Sequence, residues 1–240
     1  MKNILIPTFA AALCAMPVQA ATITTSFGTT LAEVETGIGF AVSSTDAAQG
    51  GVSSVDFTSN NINAAGLTDG LFPTGAGSAV FQNNTGNGGP DPARFLLDLG
   101  GSIEIATINI FTGGLTGTSG DDIVRGGQRF TLFGSTLAAS AAGFDETTFT
   151  EIGAVNFGTE FDDDGNVITQ AGPANFGASS FSGVNQEFSS LLIVASLSGA
   201  NSGGEGTIFQ EVDVIAVVPE PSSTALLGLG ALGLFIRRKR

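Results

Sequence analysis

The sequence of 240 residues contains no histidine, tryptophan or tyrosine, and Cys14 is its single cysteine. Without histidine, a nucleophilic triad that uses an imidazole base is excluded. Zinc sites built from His and Cys ligands are excluded from the part of the chain that follows Cys14. A disulfide within that part is excluded for the same reason. Aromatic contacts there depend entirely on phenylalanine, of which the chain has 19.

Positive charge is scarce and unevenly placed. Eight Lys and Arg face 22 Asp and Glu, which gives a net charge of −14. Lys2 and the run Arg237–Arg240 lie at the two ends, so the long middle of the chain holds only Arg94, Arg125 and Arg129. Such an acidic body repels phosphate backbones, and nucleic-acid binding is therefore not expected. Carboxylates are plentiful, so composition does not exclude an Asp/Glu hydrolase, although no spacing indicates one.

The first 20 residues have the pattern of a secretory signal peptide. Lys2 supplies the positive region and Ile4–Val18 an apolar stretch. Val18-Gln19-Ala20 has the small-x-small form that precedes cleavage, so we expect signal peptidase to cut between Ala20 and Ala21. Leu13 precedes Cys14, which favours an ordinary apolar-region cysteine over a lipidated one.

The last residues form a tripartite tail. Val218-Pro219-Glu220-Pro221 is followed by an apolar segment over 224–236 and by four cations over 237–240. As a helix, this apolar segment would be about 20 Å long. Since a bilayer core is about 30 Å thick, it is short for a membrane span. The cations would remain cytoplasmic, which leaves the body outside the inner membrane.

This tail resembles the PEP-CTERM sorting signal, because all three parts occur in order at the C-terminus. The resemblance implies recognition by an exosortase, a membrane transpeptidase, near Pro219, Glu220 and Pro221. It also implies a Gram-negative bacterium that makes extracellular polysaccharide. The tail would then be discarded after sorting, so membrane attachment would be transient.

Between the two signals the chain is predicted to be all-β. Short apolar runs rich in β-branched and aromatic residues alternate with Gly, Asn, Asp and Ser. Helical periodicity is nearly absent, with one short turn expected over 30–36. The residues left after cleavage are enough for one large β-sandwich over 21–217, flanked by the signal helix over 1–20 and the tail over 218–240. The predicted strands include Phe95–Leu99, Ile103–Phe111, Phe130–Phe133, Leu191–Leu197 and Ile208–Val218.

The order of motifs in the body resembles galactose-binding-like jelly rolls of the discoidin and coagulation-factor C type. An Asp-Gly loop is followed by an Asp-Leu-Gly strand end, an Arg-x-x-x-φ strand and a closing Glu-φ-x-φ strand. The segments that carry the resemblance are Ile62–Pro73, Ala93–Thr112, Arg125–Thr136, Phe149–Phe157 and Thr207–Val217. The sequence lacks the Trp that commonly follows the Asp-Gly loop, and it lacks the His and aromatic residues of lectin relatives.

The resemblance implies a structural calcium site. Asp69 matches the loop that often ligates Ca²⁺, and Glu211 matches the ligand in the closing strand. Carboxylates and backbone carbonyls are the ligands that a hard cation prefers. The alternative interpretation is a plain Asp-Gly turn and a solvated edge glutamate.

Other acidic and glycine-rich segments carry weaker signals. The stretch over 159–168 imitates half of a calcium loop, but Ala171 stands where the bidentate carboxylate belongs. A hairpin closed by Asp164-Gly165 is the favoured interpretation. The loops over 83–92 and 113–127 are candidate ligand-binding loops of a jelly roll.

The function expected from these observations is that of an exported, non-catalytic surface or matrix protein whose sandwich binds polysaccharide. The alternative is a secreted polysaccharide hydrolase that uses an Asp/Glu pair. No catalytic residue and no cofactor other than calcium is predicted.

Overall fold

The structure is a computed structural model that describes residues 20–48, 51–56, 64–72, 81–82, 92–113, 126–157, 160–161, 167–169, 175–195 and 208–218. The predicted signal helix and the apolar segment over 224–236 lie outside these residues. So do most of the two candidate binding loops. The predictions made for these segments therefore stay predictions.

Antiparallel strands dominate the described residues, which confirms the all-β prediction. The described residues include two short α-helices, α1 (Leu31–Ile38) and α2 (Ala139–Ala142). The strands are β1 (Thr22–Gly28), β2 (Val52–Val55), β3 (Phe81–Gln82), β4 (Ala93–Gly113), β5 (Gln128–Ser135), β6 (Thr150–Phe157), β7 (Glu160–Phe161), β8 (Val167–Thr169), β9 (Phe176–Ala195) and β10 (Ile208–Ala216).

The strand order of the main sheet is β3-β10-β4-β9-β5-β6, with β1 added to β9 and β2 added to β4. β4 and β9 connect the sheet, because each pairs with several other strands along its length. Residues 93–98 of β4 pair with 190–195 of β9, and residues 103–113 pair with 176–188. The register shifts between Asp98 and Ile103 and again between Ile105 and Thr107.

These irregularities bend β4 so that its two halves face each other. Phe209 of β10 pairs with Thr112, near the end of β4, yet its ring centroid lies 5.0 Å from that of Phe95, near the start. A straight strand would separate Phe95 from Thr112 by more than about 50 Å, at about 3.3 Å per residue. Gly100, with φ +72°, lies at the bend. One continuous hydrogen-bonded sheet therefore folds into the two layers of a sandwich.

Phenylalanine fills the space between the layers. The ring of Phe130 lies 6.0 Å from that of Phe181 and 5.8 Å from that of Phe209, measured between centroids. These rings join the residues of both layers in one buried cluster with aliphatic side chains from β4, β9 and β10. Burial of these apolar surfaces is the main stabilising contribution.

Helix α1 covers the outer face of the layer that contains β10. Its N-terminus has a capping box, in which Thr30 Oγ1 accepts from the Glu33 amide (3.3 Å) and Glu33 Oε2 accepts from the Thr30 amide (3.2 Å). Val34 and Ile38 pack on Phe111 of β4, together with residues of β9. This packing positions the segment over 40–48, which returns across β10.

The strands differ from the predicted runs in two ways. The runs Phe95–Leu99 and Ile103–Phe111 are parts of one strand, because a bulged turn through Gly100 preserves the pairing. The run from Leu191 is the final part of β9, whose longer first part over 176–190 was not predicted. That first part is rich in Gly and Ser, a composition typical of loops. It is a strand because β1 and β4 pair with it on both sides.

Candidate functional site

Three carboxylates meet where the segment over 40–48 crosses β10. They belong to Asp46, Glu211 and Asp213, and each contributes one oxygen to a group in which all such atoms lie within 4.8 Å of one another. Glu211 and Asp213 are two residues apart on β10, so their side chains project from the same face of the sheet. Asp46 approaches them from the segment over 40–48. We call these three residues the carboxylate cluster.

Backbone amides hold Asp46 in place. Its Oδ1 accepts from the amide of Ala48 (2.7 Å) and from the amide of Val214 (3.0 Å). The amide of Ala47 in turn donates to the carbonyl of Val214 at 2.7 Å. These bonds attach the segment over 46–48 to β10 directly beside Asp213.

Glu211 and Asp213 are buried, each with 0 % of its surface exposed. Glu211 Oε2 accepts from the amide of Gly70 at 3.1 Å, and Asp213 Oδ2 accepts from the amide of Ser43 at 2.9 Å. The cluster is therefore oriented by three separate parts of the chain: the segment after α1, the turn at Gly70, and β10.

One oxygen of each carboxylate has no hydrogen-bond partner among the described residues: Asp46 Oδ2, Glu211 Oε1 and Asp213 Oδ1. Buried polar atoms in folded proteins are almost always paired, since an unpaired one loses its hydration without compensation. The three carboxylates, each with one such oxygen, converge here. The donor set, which consists only of carboxylate oxygens, fits a hard divalent cation such as Ca²⁺.

Mutual repulsion adds to the cost of charging this site. Burial raises the pKa of Glu211 to about 9, and the charges of Asp213, Asp69 and Asp46 add to the effect. Burial likewise raises the pKa of Asp213 to about 7, against the stabilising amide of Ser43. Without a cation, protons therefore compensate part of the charge at neutral pH.

No arginine in the described part of the chain is among the groups that shift these two pKa values. Arg94 is occupied elsewhere, in ion pairs with Asp56 (3.2 Å) and Glu146 (2.8 Å). These partners raise the pKa of its guanidinium, Glu146 most. Among the described residues, no side-chain cation thus neutralises the carboxylate cluster.

The structure brings the two predicted ligands, Asp69 and Glu211, near each other. Asp69 is exposed, its Oδ1 accepts from the amide of Leu71 at 2.9 Å, and its carboxylate raises the pKa of Glu211. Their role as metal ligands stays a prediction. The alternative of a solvated edge glutamate is wrong for Glu211, which is fully buried by the segments that cross β10.

Sequence reasoning missed Asp46 and Asp213. Asp213 was detectable, because it lies two residues after Glu211 in a predicted strand and so shares its face. Asp46 lies in a segment with no periodic pattern, and only the folding of that segment over β10 brings it to the site.

The acidic stretch over 159–168 contains a hairpin, as predicted. Residues of β7 and β8 pair in antiparallel fashion, with Glu160 opposite Thr169 and Phe161 opposite Val167. The turn residues 162–166 lie outside the described residues.

A pocket of about 400 Å³ lies at the start of β1, away from the carboxylate cluster. Ile23, Ile152 and Val184 give it an apolar lining, and Glu151 and Gln186 add polar groups. The predicted cleavage residues Ala20 and Ala21 also line it, immediately before β1 begins.

No helix of the described residues is long and apolar enough to cross a membrane. The sorting residues Pro219, Glu220 and Pro221 and the apolar segment over 224–236 lie beyond residue 218, where the described part ends.

Comparison with solved structures found distant neighbours. The lectin domain of lectinolysin, complexed with Lewis B antigen, is 14 % identical and has a TM-score of 0.45; the match covers 74 % of this chain and 100 % of that one. CpGH89CBM32-5 from Clostridium perfringens, in complex with GalNAc-beta-1,3-galactose, is 17 % identical with a TM-score of 0.43, and 70 % and 96 % of the two chains are covered. A Streptococcus pneumoniae fucose binding module, SpX-3, is 13 % identical with a TM-score of 0.42, and 72 % and 99 % are covered.

All three TM-scores are below 0.5. None of the curated proteins compared with the chain matches it. A family model of the PEP-CTERM protein-sorting motif matches residues 217–240, which include the tripartite tail recognised in the sequence. The chain therefore ends in a PEP-CTERM sorting motif.

Proposed function

We propose that the protein is an exported, non-catalytic surface or matrix protein of a Gram-negative bacterium, sorted by an exosortase. The match of residues 217–240 to the PEP-CTERM protein-sorting motif carries this proposal. Signal peptidase then removes residues 1–20, and the sandwich over 21–217 is the folded part of the product. Pro219, Glu220 and Pro221 are a processing signal, not a catalytic group.

Mass spectrometry of the protein isolated from its host tests the sorting route. We expect an N-terminus at Ala21 and loss of the residues that follow the Pro-Glu-Pro motif. A Glu220→Ala variant should keep the N-terminal cut and retain the tail, whereas Glu187→Ala, an exposed residue of the sheet, should be processed normally. A cytoplasmic product that still contains Arg240 would contradict the proposal.

We further propose that the carboxylate cluster binds calcium and that this stabilises the sandwich. The convergence of three carboxylates, each with one unpaired oxygen, supports the assignment. Asp46 and Glu211 are 165 positions apart in the chain, so an ion between them would link its early and late segments. An ion that binds only the folded state stabilises it by mass action.

Thermal melting with and without calcium tests this site. We expect calcium to raise the melting temperature of the wild type and to have little effect on Glu211→Gln or Asp46→Asn. Glu104→Gln removes an exposed carboxylate and should leave the response intact. A wild type that does not respond to millimolar calcium would contradict the metal site.

Polysaccharide binding is the function we propose for the folded body. The pocket at the start of β1 supports it, because Glu151 and Gln186 can bind hydroxyl groups while the aliphatic residues contact a sugar ring. The protein should be retained on the extracellular polysaccharide of its host, and Glu151→Ala should weaken retention. Glu187→Ala is the matched control on an exposed part of β9. Release of oligosaccharide by the wild type would instead support the alternative, a hydrolase.

A further inference from the structure

A buried polar row extends from the carboxylate cluster into the sheet. Asp213 on β10 is directly opposite Asn109 on β4, and Asn109 is directly opposite Ser180 on β9. Directly opposed residues of antiparallel strands project from the same face, with Cβ atoms about 4.5–5.5 Å apart. The three side chains therefore form a line across adjacent strands, which we call the polar row.

The polar row is fully enclosed, and four of its polar atoms lack a protein partner among the described residues. Asn109 is 0 % and Ser180 is 2 % exposed. Within the described residues, Asn109 Oδ1, Asn109 Nδ2, Ser180 Oγ and Asp213 Oδ1 have no hydrogen-bond partner. Four unpaired polar atoms in one line are not expected of a well-packed interior.

The neighbouring row on the same face shows that apolar side chains fit in this environment. Glu211 is opposite Phe111, and Phe111 is opposite Ala178. Both Phe111 and Ala178 pack beneath α1 in an apolar cluster. Ser180, Asn109 and Asp213 are therefore polar at positions next to side chains that pack in an apolar cluster.

We propose that the polar row binds ordered water that connects Ser180 and Asn109 to Asp213 and to the ion in the carboxylate cluster. A water between Asn109 and Asp213 would donate to Asp213 Oδ1 and accept from Asn109 Nδ2. A water between Asn109 and Ser180 would donate to Asn109 Oδ1 and accept from the Ser180 hydroxyl. Each of the four unpaired atoms then has a partner, as buried waters commonly provide.

Asn109 is accordingly a positioning residue for the metal site. Calcium takes six to eight oxygen ligands, commonly including water, and three carboxylates leave positions to fill. Asn109 acts on the ion through the water and through Asp213, not by direct contact. The positioning role of Asn109 rests on the proposed calcium site, whereas the proposed water between Asn109 and Asp213 does not.

Crystal structures of the wild type, with EDTA and with calcium, test the water directly. We expect a water oxygen within about 3 Å of both Asn109 and Asp213 in both structures. A direct hydrogen bond between the two side chains, with no water between them, would overturn the proposal.

Calcium affinity tests the positioning role. Asn109→Leu has a similar shape and no polar atoms, so we expect it to lose the water and to bind calcium about 10–100-fold more weakly. Asn109→Ser keeps a hydroxyl and leaves room for water, so it should recover part of the affinity. Ile110→Val, on the opposite face of β4, controls for a small loss of packing. Unchanged affinity in Asn109→Leu would overturn the role of Asn109.

Calcium binding and the bridging water are tested by different measurements. A wild type that binds no calcium contradicts the proposed metal site, and the EDTA structure then decides the water by itself. If Asn109→Leu does not fold, the wild-type structures and Asn109→Ser still decide both points.

Discussion

Glu211 and Asp213 are the residues at which charge and burial conflict most directly. Both are fully buried on β10, and both have raised pKa values because water is excluded and other carboxylates are near. A carboxyl group whose pKa is higher in the folded than in the unfolded state favours folding only while it is protonated. The cluster should therefore make stability depend on pH in the sense opposite to that of an ordinary ion pair.

We predict that the calcium-free protein becomes less stable as pH rises. The contribution of Asp213 should be lost between about pH 4 and 7 and that of Glu211 between about pH 4.5 and 9, because their folded pKa values are about 7 and about 9. Melting in EDTA across pH 5–9 measures this decline. Asp46, Asp69 and Glu35 also face the pair, so the comparison with Glu211→Gln is needed.

Glu211→Gln should flatten the decline above pH 7, because its side chain does not titrate. General repulsion among surface carboxylates would act equally in both proteins. Equal slopes in the wild type and Glu211→Gln would contradict the prediction.

Gly70 is the second residue on which the site depends. Its φ is +74°, and an added Cβ would lie 2.5 Å from Ser44 Cα. Gly70→Ala should therefore destabilise the protein by more than the about 1–2 kcal/mol of a left-handed alanine. It should also weaken calcium binding, because the Gly70 amide holds Glu211. Chemical denaturation and calcium titration measure the two effects.

Gly100 provides the matched control for Gly70. Its φ is +72°, but nothing lies within 4 Å of an added Cβ. Gly100→Ala should destabilise the protein only by the cost of a left-handed alanine backbone, and calcium binding should be unchanged. If the two variants behave alike, the contact with Ser44 has no role.

At the scale of elements, α1 places the segment that supplies Asp46. This helix has only eight residues, and a helix so short depends on its cap and on packing. The capping box satisfies amides at its N-terminus, and Gly39, with φ +78°, ends it. The capping residue was detectable, since the sequence predicted a turn over 30–36. The return of the chain across β10 was not.

Thr30→Ala should reduce the free energy of unfolding by about 1 kcal/mol, a typical value for loss of a side-chain cap. Thr36→Ala is the control, because Thr36 bonds only the carbonyl of Ala32 in the exposed part of the helix. Urea denaturation measures both. An equal loss in the two variants would indicate that the cap itself contributes nothing.

Within the strands, sequence pattern and structure agree where apolar residues dominate. β5 and β10 overlap the predicted runs, because β-branched and aromatic residues favour strands. The first half of β9 has Ser179 and Ser180 in buried positions and carries no such pattern. Its pairing with β1 and β4, rather than its own composition, makes it a strand.

At the scale of the whole molecule, the carboxylate cluster joins three chain segments that are distant in sequence. The amides of Ser43, Ala48 and Gly70 each donate to a different carboxylate of the cluster. An ion that fixes the three carboxylates should therefore reduce local opening of all these segments together.

Hydrogen exchange measures this coupling. We expect calcium to slow exchange of the Ser43, Ala48 and Gly70 amides by a factor on the order of ten or more, as local opening becomes less favourable. The amide of Thr147, which donates to Asp145 at 3.1 Å outside the cluster, is the control and should not change. Slowing at Thr147 as well would indicate a general effect instead of a local one.

The sequence by itself determined the features that depend on local order. The sorting motif at 217–240, the all-β class and the hairpin of β7 and β8 are read from adjacent residues, because processing signals, strand propensity and turns act over short stretches. Only the tertiary structure brought Asp46 to Glu211 and Asp213 and aligned Asn109 with Ser180. These contacts join residues far apart in the chain, and register and chain reversal fix them. No local pattern records which distant strand a residue will face, and the arrangement of the site was therefore decided by the fold.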